Sequence, residues 1–555
     1  MRVRTANLAG LLFLLLAAST TFATPLTIEK TNADQLDLEY FWVSGDVQYA
    51  PFTRFPVPRQ EVLSFLPGDS SLGGLTSQGQ YLDNLYRLAW DPQWRTRPTR
   101  TRRFFQGLFQ DVLGVGGFTH SLFRYNLDLF QQGDDDLVFG ANVVQRAEGI
   151  FDQSFKDKPF VLYQWGVETW MTYKGRFGAQ MRFTDTTERG TGNHTTVYAP
   201  YAGYIAYNHG TSISYDETVA SIGYTGEMFR ARIGRGRHAW GPALLQRLVL
   251  SDQTAPYPYV EAEFDWHKRL LLTWFNGRLD PSPMPSDTLY LTPEGNVRKA
   301  SKEKYIAAHR LEIIAAPWMT IGMTEAVIYG ERAPEIGYLL PLNLYWSEGH
   351  NQDHDDNLMW SADLRLRPMK GILLFGELLI DEMHFSAFGT DQFGNRTAYT
   401  VGGRWIPPSL SGKIDLRTEY TKLRPFIYTH WFPINVATHY GENLGSPLQP
   451  NSDEWKVRLR YHPVPELTLG GYAWGRRHGA TPEGADPVGG SVWETRKGNQ
   501  GNYPFLDGIR EDSNEAGVEF RWNALEELVL FVEGGRGVDV GKSYTRVIGG
   551  FHFHY

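Results

Sequence analysis

The chain reads as an all-β protein: a transmembrane antiparallel β-barrel of the bacterial outer membrane, with about 18 strands and a partly helical periplasmic region ahead of it. Three observations predict this. The last ten residues alternate, with Val547, Gly549, Phe551, Phe553 and Tyr555 on one face and Ile548, Gly550, His552 and His554 on the other, and the chain stops on an aromatic. Period-two segments of the same kind follow one another from about residue 137 to the end. The connectors between them alternate short and long, as periplasmic turns and extracellular loops do in such barrels.

Taken from the amino end, residues 1–23 have the layout of a secretory signal. Arg2 and Arg4 supply the charge, Leu8 to Ala18 a short apolar core, and Thr21-Phe22-Ala23 the small residues at the cleavage positions. That core is too short to span a bilayer, and a chain with no Cys has neither a lipoprotein anchor nor a disulfide. Residues 24–136 have a mixed pattern. Pro56-Val57-Pro58 leads into Arg59 to Leu66, and Ser77 to Trp90 places Tyr81, Leu85, Leu88 and Ala89 at helical spacing, so this stretch is expected to be a partly helical periplasmic domain or plug. Its many large apolar residues argue against a disordered leader. Gln131 to Asp136 is a polar, acidic link to the barrel, which is expected over 137–555.

Composition fits a barrel. After the signal there is no run of about 20 apolar residues to make a membrane helix, and the mean hydropathy of −0.37 looks like that of a water-soluble protein. A barrel hides its apolar surface in alternate positions. Aromatics reach 14%, with Trp 17, Tyr 29 and Phe 32, as expected where rings line two membrane interfaces. The net charge of −8 becomes −10 once Arg2 and Arg4 leave with the signal, which argues against a nucleic-acid partner.

Within the barrel the clearest strand is Trp455 to Tyr461. Trp455, Val457, Leu459 and Tyr461 share one face, and Lys456, Arg458 and Arg460 the other. Leu358 to Leu366 sets Trp360, Ala362 and Leu364 against Ser361, Asp363 and Arg365; Ile414 to Tyr420 has Asp415, Arg417 and Glu419 on its polar side, and Ala516 to Trp522 has Glu519 and Arg521. Polar faces carrying both signs suit a lumen crossed by ion pairs. Counting back from Tyr555 as a periplasmic end, the short connectors are 523–527, 462–466, 406–412, 368–371, 317–319 and 266–268. The long ones are 476–513, 422–454, 383–397, 329–357, 277–307 and 235–258. The count is uncertain by about two strands, because 201–215 can cross the membrane or fold within a loop.

Several segments then form an ordered series. Gly234-Arg235-Gly236-Arg237-His238-Ala239-Trp240-Gly241-Pro242 is followed by Leu250-Ser251-Asp252 and Ala255-Pro256, then by His309-Arg310-Leu311-Glu312 and Glu325-Ala326-Val327-Ile328-Tyr329-Gly330. Pro341-Leu342-Asn343-Leu344-Tyr345-Trp346, Asp356-Asn357-Leu358 and Gly376-Glu377-Leu378-Leu379-Ile380-Asp381-Glu382 complete it. In order and spacing, over about 137–385, the chain resembles the capsule-assembly outer-membrane proteins of the Wzi type. The resemblance implies an 18-stranded barrel with a helical periplasmic portion, acting as a surface lectin that tethers capsular polysaccharide. The segments 429–454 and 476–513 fall outside it.

Several local motifs carry chemistry of their own. Gly234 to Ala239 mimics a dinucleotide fingerprint, but Trp240-Gly241-Pro242 blocks the helix that would receive a pyrophosphate. A bend at the barrel mouth fits better, with Arg235, Arg237 and Trp240 offering charge and an aromatic face to an acidic polysaccharide, or Trp240 simply packing. His350, Asp353, His354, Asp355 and Asp356 are potential cation ligands, yet they lack the spacing of a known ligand loop, and a solvated acidic loop is preferred. Glu377 and Asp381 share a strand face about 13 Å apart at about 3.3 Å per residue, too far for a glycosidase pair. Neither Gly-x-Ser-x-Gly nor His-Glu-x-x-His occurs.

The expectation is a non-catalytic barrel, without cofactor or metal, that binds capsular or exopolysaccharide. A porin-like channel for oligosaccharides or other polar solutes is the alternative. The residues expected to touch polysaccharide are Arg235, Arg237, His238, Trp240, Tyr345, Trp346, His350 and Asp356. The other expected partners are outer-membrane lipid and, through the strand ending at Tyr555, the barrel-assembly machinery.

Overall fold

The structure is a computed structural model that describes residues 129–134, 136–154, 156–190, 207–282, 289–291, 297–299, 302–382, 389–495 and 501–554. Of the earlier chain it describes 27–28, 39–40, 42–44, 54–55, 57–58, 78, 80, 82 and 103. The expected signal peptide, most of 24–136 and Tyr555 lie outside these residues. Where the helical spacing was read in Ser77 to Trp90, the described residues 78, 80 and 82 are helical.

Eighteen strands build the wall: β1 (Leu137–Asp152), β2 (Lys156–Tyr173), β3 (Phe177–Gly190), β4 (Ser212–Thr225), β5 (Phe229–Gly236) and β6 (Tyr257–Trp266), then β7 (Leu270–Arg278), β8 (Lys304–Ala316), β9 (Met319–Gly330), β10 (Asn357–Met369), β11 (Ile372–Glu382) and β12 (Arg396–Trp405), and finally β13 (Ile414–Leu423), β14 (Ser452–Tyr461), β15 (Leu467–Ala480), β16 (Ile509–Asn523), β17 (Leu528–Asp539) and β18 (Lys542–His554). Two short strands of the same sheet, Phe130–Gly133 and Tyr207–Asn208, lie beside the wall strands. Each wall strand pairs antiparallel with the next, and β18 returns to β1 from Arg546↔Asp152 to His554↔Val144. Closure leaves no open edge, the condition for a sheet to sit in a bilayer. In the ambiguous stretch 201–215, described from 207 on, Tyr207–Asn208 pair with the first residues of β4 and make no separate crossing.

The alternation of connectors holds. The turns 267–269, 317–318, 370–371, 462–466 and 524–527 are short, while 237–256, 279–303, 331–356, 424–451 and 481–508 are long. At the long-loop end only 153–155 and 540–541 are tight turns. Burial is inverted relative to a soluble protein. In β10, Asn357, Ser361, Asp363 and Arg365 are buried toward the lumen, while Trp360 and Leu364 stand exposed on the outside. In β14, Trp455, Leu459 and Tyr461 are exposed. Strand geometry alone produces this sorting, because successive side chains point to opposite faces.

The lumen is crossed by ion pairs. Arg310 Nη1 donates to Asp363 at 2.6 Å and Nη2 to Glu312 at 3.3 Å; Arg404 grips Asp415 through Nε at 2.9 Å and Nη2 at 2.7 Å. Such buried groups are tolerable only when paired in this way. Toward the long-loop end the interior turns apolar. Leu248, Val249 and Leu250 from one connector and Ile427, Tyr428, Val436 and Leu444 from another pack on the inward Phe275, Ile306, Ile328, Met359 and Leu379.

Candidate functional site

Two long loops fold into the barrel. The first, 237–256, is turned inward at Gly241, whose φ of +107° favours glycine. A Cβ there would also lie 2.6 Å from Glu377 Oε2. Beyond the turn, Leu244 N and Leu245 N donate to the Glu419 carboxylate at 3.0 and 3.1 Å, and Gln246 Nε2 to Glu454 Oε1 at 2.6 Å. The second loop, 424–451, lies against the first. Tyr428 OH donates to Leu248 O at 2.7 Å, Ser251 N to Leu444 O at 2.8 Å, and Ser251 Oγ to Gly445 O at 2.6 Å. Tyr428 N donates to Asp381 Oδ2 at 2.7 Å, which places one of the carboxylates weighed from sequence in a supporting role.

The amino-terminal region enters from the other side. Residues 54–55 pair with Ala239–Trp240. At the short-turn end Trp42 Nε1 donates to Pro317 O at 3.1 Å and Gly371 N to Val43 O at 2.6 Å, while buried Glu39 accepts from Arg404 at 3.2 Å and from Arg417.

The residues expected to bind polymer fall into two groups. Arg235 Nε donates to Thr218 O at 3.1 Å. Arg237 holds Thr254 O and pairs with Glu217. His238 and Trp240 are fully buried: His238 stacks on Phe275 at 4.0 Å, and Trp240 meets the same ring edge-on. His238 Nε2 lies 2.8 Å from Glu261 and Nδ1 lies 3.1 Å from Tyr257 OH. Burial draws its pKa below the usual imidazole range against the opposing pull of Glu261, which fits a neutral imidazole donating from Nε2 to the Glu261 carboxylate and accepting from Tyr257 OH at Nδ1. His238 and Trp240 therefore act as lumen packing.

The second group sits elsewhere. Tyr345 and Trp346 begin helix α1 (Tyr345–Gln352), which lies against the outer side of the wall. Tyr345 is buried among Trp274, Val327, Tyr329 and Tyr338, while Trp346 is exposed. His350 lies against the Trp346 ring at 4.3 Å with Nδ1 2.7 Å from Trp346 O, and Asp356 accepts from Arg332 and, at 2.8 Å, from Tyr338 OH. His238 and Trp240 thus lie in the lumen and Tyr345, Trp346 and His350 outside the wall, and the structure does not bring the two groups together. Among the described residues no cluster of three or more His, Asp or Glu is arranged to hold a metal.

Sequence reasoning placed the basic face of β14 in the lumen but missed the cavity it lines. This cavity of about 250 Å³ lies between Leu244 and Leu245 of the first loop and the wall residues Arg417, Lys456, Arg458, Tyr472, Trp474 and Arg546. Most of its cations have a carboxylate within hydrogen-bond reach: Arg417 with Glu419 at 2.7 Å, Lys456 with Glu454 at 2.7 Å, Arg460 with Glu519 at 2.7 Å and Arg546 with Glu515 at 2.8 Å. Arg458 has Glu519 only at 3.7 Å, which makes it the cation most open to an anionic guest. The alternation of Tyr472, Trp474 and Arg476 on β15 was the available signal. On its own it did not distinguish lining from packing.

No protein-family model matches the chain, and neither does any curated protein. Among solved structures it is similar to Wzi of Escherichia coli, an outer-membrane protein involved in group 1 capsule assembly and described as a carbohydrate-binding β-barrel. The TM-score is 0.54 at 9% identity, over 95% of this chain and 99% of that one. OprD of Pseudomonas aeruginosa (TM-score 0.41, 10% identity) and OccAB2 of Acinetobacter baumannii (0.42, 10%) match over 75% of this chain and 95% and 98% of theirs. From Leu137 to His554, then, the chain has the closed antiparallel barrel fold of Wzi.

Proposed function

We propose that this protein is a non-catalytic outer-membrane barrel that binds capsular or exopolysaccharide and helps retain it at the cell surface, with the long loops outside. The observation that carries this reading is the filled lumen. Loops 237–256 and 424–451 pack an apolar core across the interior, and residues 39–40, 42–44 and 54–55 occupy it further, whereas a solute channel needs an open polar path. The Wzi barrel, a carbohydrate binder, supports it by analogy of fold. The long-loop end also carries the exposed rings of Trp431, Phe432 and Trp493, and the exposed guanidinium groups of Arg476 and Arg477, two kinds of group suited to an acidic glycan. Polymer contact belongs on these groups and on Arg235 and Arg237 rather than on buried His238 and Trp240. Lipid surrounds the wall, and the β18 end serves assembly.

The charged cavity around Arg458 favours the second reading, a porin-like channel. Gene deletion tests the first. Polysaccharide should move from the cell surface to the medium in the deletion strain; unchanged surface polysaccharide with reduced uptake of small polar solutes would overturn the tether. In planar bilayers the purified protein should conduct little, whereas defined conductance steps would favour the channel.

A further inference from the structure

Unlike loops 237–256 and 424–451, loop 331–356 folds back over the outside of the barrel. Its inner side is anchored by an outward-facing carboxylate. Glu325 on β9 accepts from Tyr345 N at 3.0 Å and Trp346 N at 2.9 Å, the first amides of α1, and lies 3.0 Å from His309 Nε2 on β8. Around this anchor Tyr338 and Tyr345 cover Trp274, Tyr305, Val327 and Tyr329, all outward residues of β7, β8 and β9. The outer side of the loop is apolar and exposed: Ile336 at 75%, Leu340 at 55%, Leu342 at 84%, Leu344 at 57% and Trp346 at 52%.

The height of this ridge identifies what covers it. A membrane-crossing strand uses about 9–11 residues. Counted from Met319, next to exposed Trp318 at the short-turn end, Glu325 is the seventh residue of β9, so it falls inside the span. Its cross-strand partner Trp360 on β10 is exposed at the same level, and the apolar wall continues through Leu374 and Leu378 of β11. A bare carboxylate and imidazole facing lipid at this level would be costly. The loop covers them and presents leucines in their place, which makes its ridge continuous with the lipid-facing wall.

We propose that residues 336–346 form a collar embedded in the acyl chains of the membrane leaflet at the long-loop end, with lipid rather than water or a second copy of this chain as the occupant. The proposal requires only that the barrel lies in a bilayer and is independent of any polysaccharide. It also moves Trp346 from a glycan contact to a membrane contact.

The absence of native Cys makes the test direct. Single spin labels at Leu342→Cys and Ile336→Cys, both on exposed side chains, are read in the full mature chain reconstituted in phosphatidylethanolamine and phosphatidylglycerol vesicles. Wall position Leu374→Cys and exposed loop position Glu483→Cys serve as references. Collisions with oxygen, which partitions into acyl chains, should match those at Leu374→Cys, and collisions with a water-soluble nickel chelate should fall well below those at Glu483→Cys. Nickel accessibility equal to that at Glu483→Cys would overturn the proposal in favour of a solvated loop. Protection from both reagents with dipolar broadening would overturn it in favour of a contact between copies.

Discussion

At the scale of single residues, the lumen holds many buried charges, and most of them face a partner of opposite sign. Arg310 is the clearest case, with Asp363 at 2.6 and 3.1 Å and Glu312 at 3.3 Å. Asp363→Ala removes the nearer of this cation's two carboxylates and leaves only the longer contact to Glu312, and the expected loss of stability is about 3 kcal/mol. It should appear as a lower temperature for the shift from folded to unfolded mobility on an unboiled gel. Two histidines of the inserted loop respond to pH. Burial, with Lys304 and Arg235 adding to it, pushes His439 down to about 3, and burial with Arg396 nearby pushes His430 down to about 4. His439 accepts from Asp280 N at 2.8 Å through Nδ1 and must stay neutral there to keep that bond. A released loop takes up protons near pH 6.5, which the seated loop refuses. Seating is therefore at full strength above about pH 6.5 and weakens as the pH falls toward about 4, by roughly 1.4 kcal/mol per unit for each histidine. Conductance in planar bilayers should be low at pH 7.5 and rise at pH 4.5, and His439→Gln should flatten that dependence; equal conductance at both values would refute it.

At the scale of elements, strands and loops differ in how legible they are. The alternations read in 358–366, 414–420 and 455–461 correspond to wall strands with the expected inward faces, because pleating is local and needs no knowledge of neighbours. Strand ends were less legible. β10 and β13 run on to Met369 and Leu423, past the alternations read to 366 and 420, since backbone pairing continues where the side-chain alternation has faded. Loop destination was not legible at all. The apolar residues of 237–256 and of 331–356 look alike in sequence, yet one loop fills the lumen and the other covers the outer wall. Where loops cross, small residues matter. A Cβ on Gly445 would lie 2.0 Å from Leu248 O and 2.8 Å from Tyr428 OH. Gly445→Val should separate the two inserted loops and raise single-channel conductance while leaving the folded-barrel gel mobility unchanged; unaltered conductance would show that these loops do not seal the lumen.

For the whole molecule, closure depends on the seam between β18 and β1, where residues 546–554 pair with 144–152. Removing 542–555 exposes the edges of both β1 and β17, and an open edge is not viable in a bilayer. The truncated chain should fail to accumulate in the outer membrane, as cell fractionation and protease sensitivity would show. The alternating tail, the charged inward faces and the alternating connectors determined the barrel from sequence alone, because each follows from the two-residue period of a strand and from the chain's crossing of a slab of fixed thickness. Only the tertiary structure decided which residues guard the lumen and which meet the membrane. An apolar loop side chain is equally satisfied by a lumen core or by an outer wall, and the choice rests on partners far apart in sequence, such as Glu419 beneath Leu244 and Glu325 beneath Trp346.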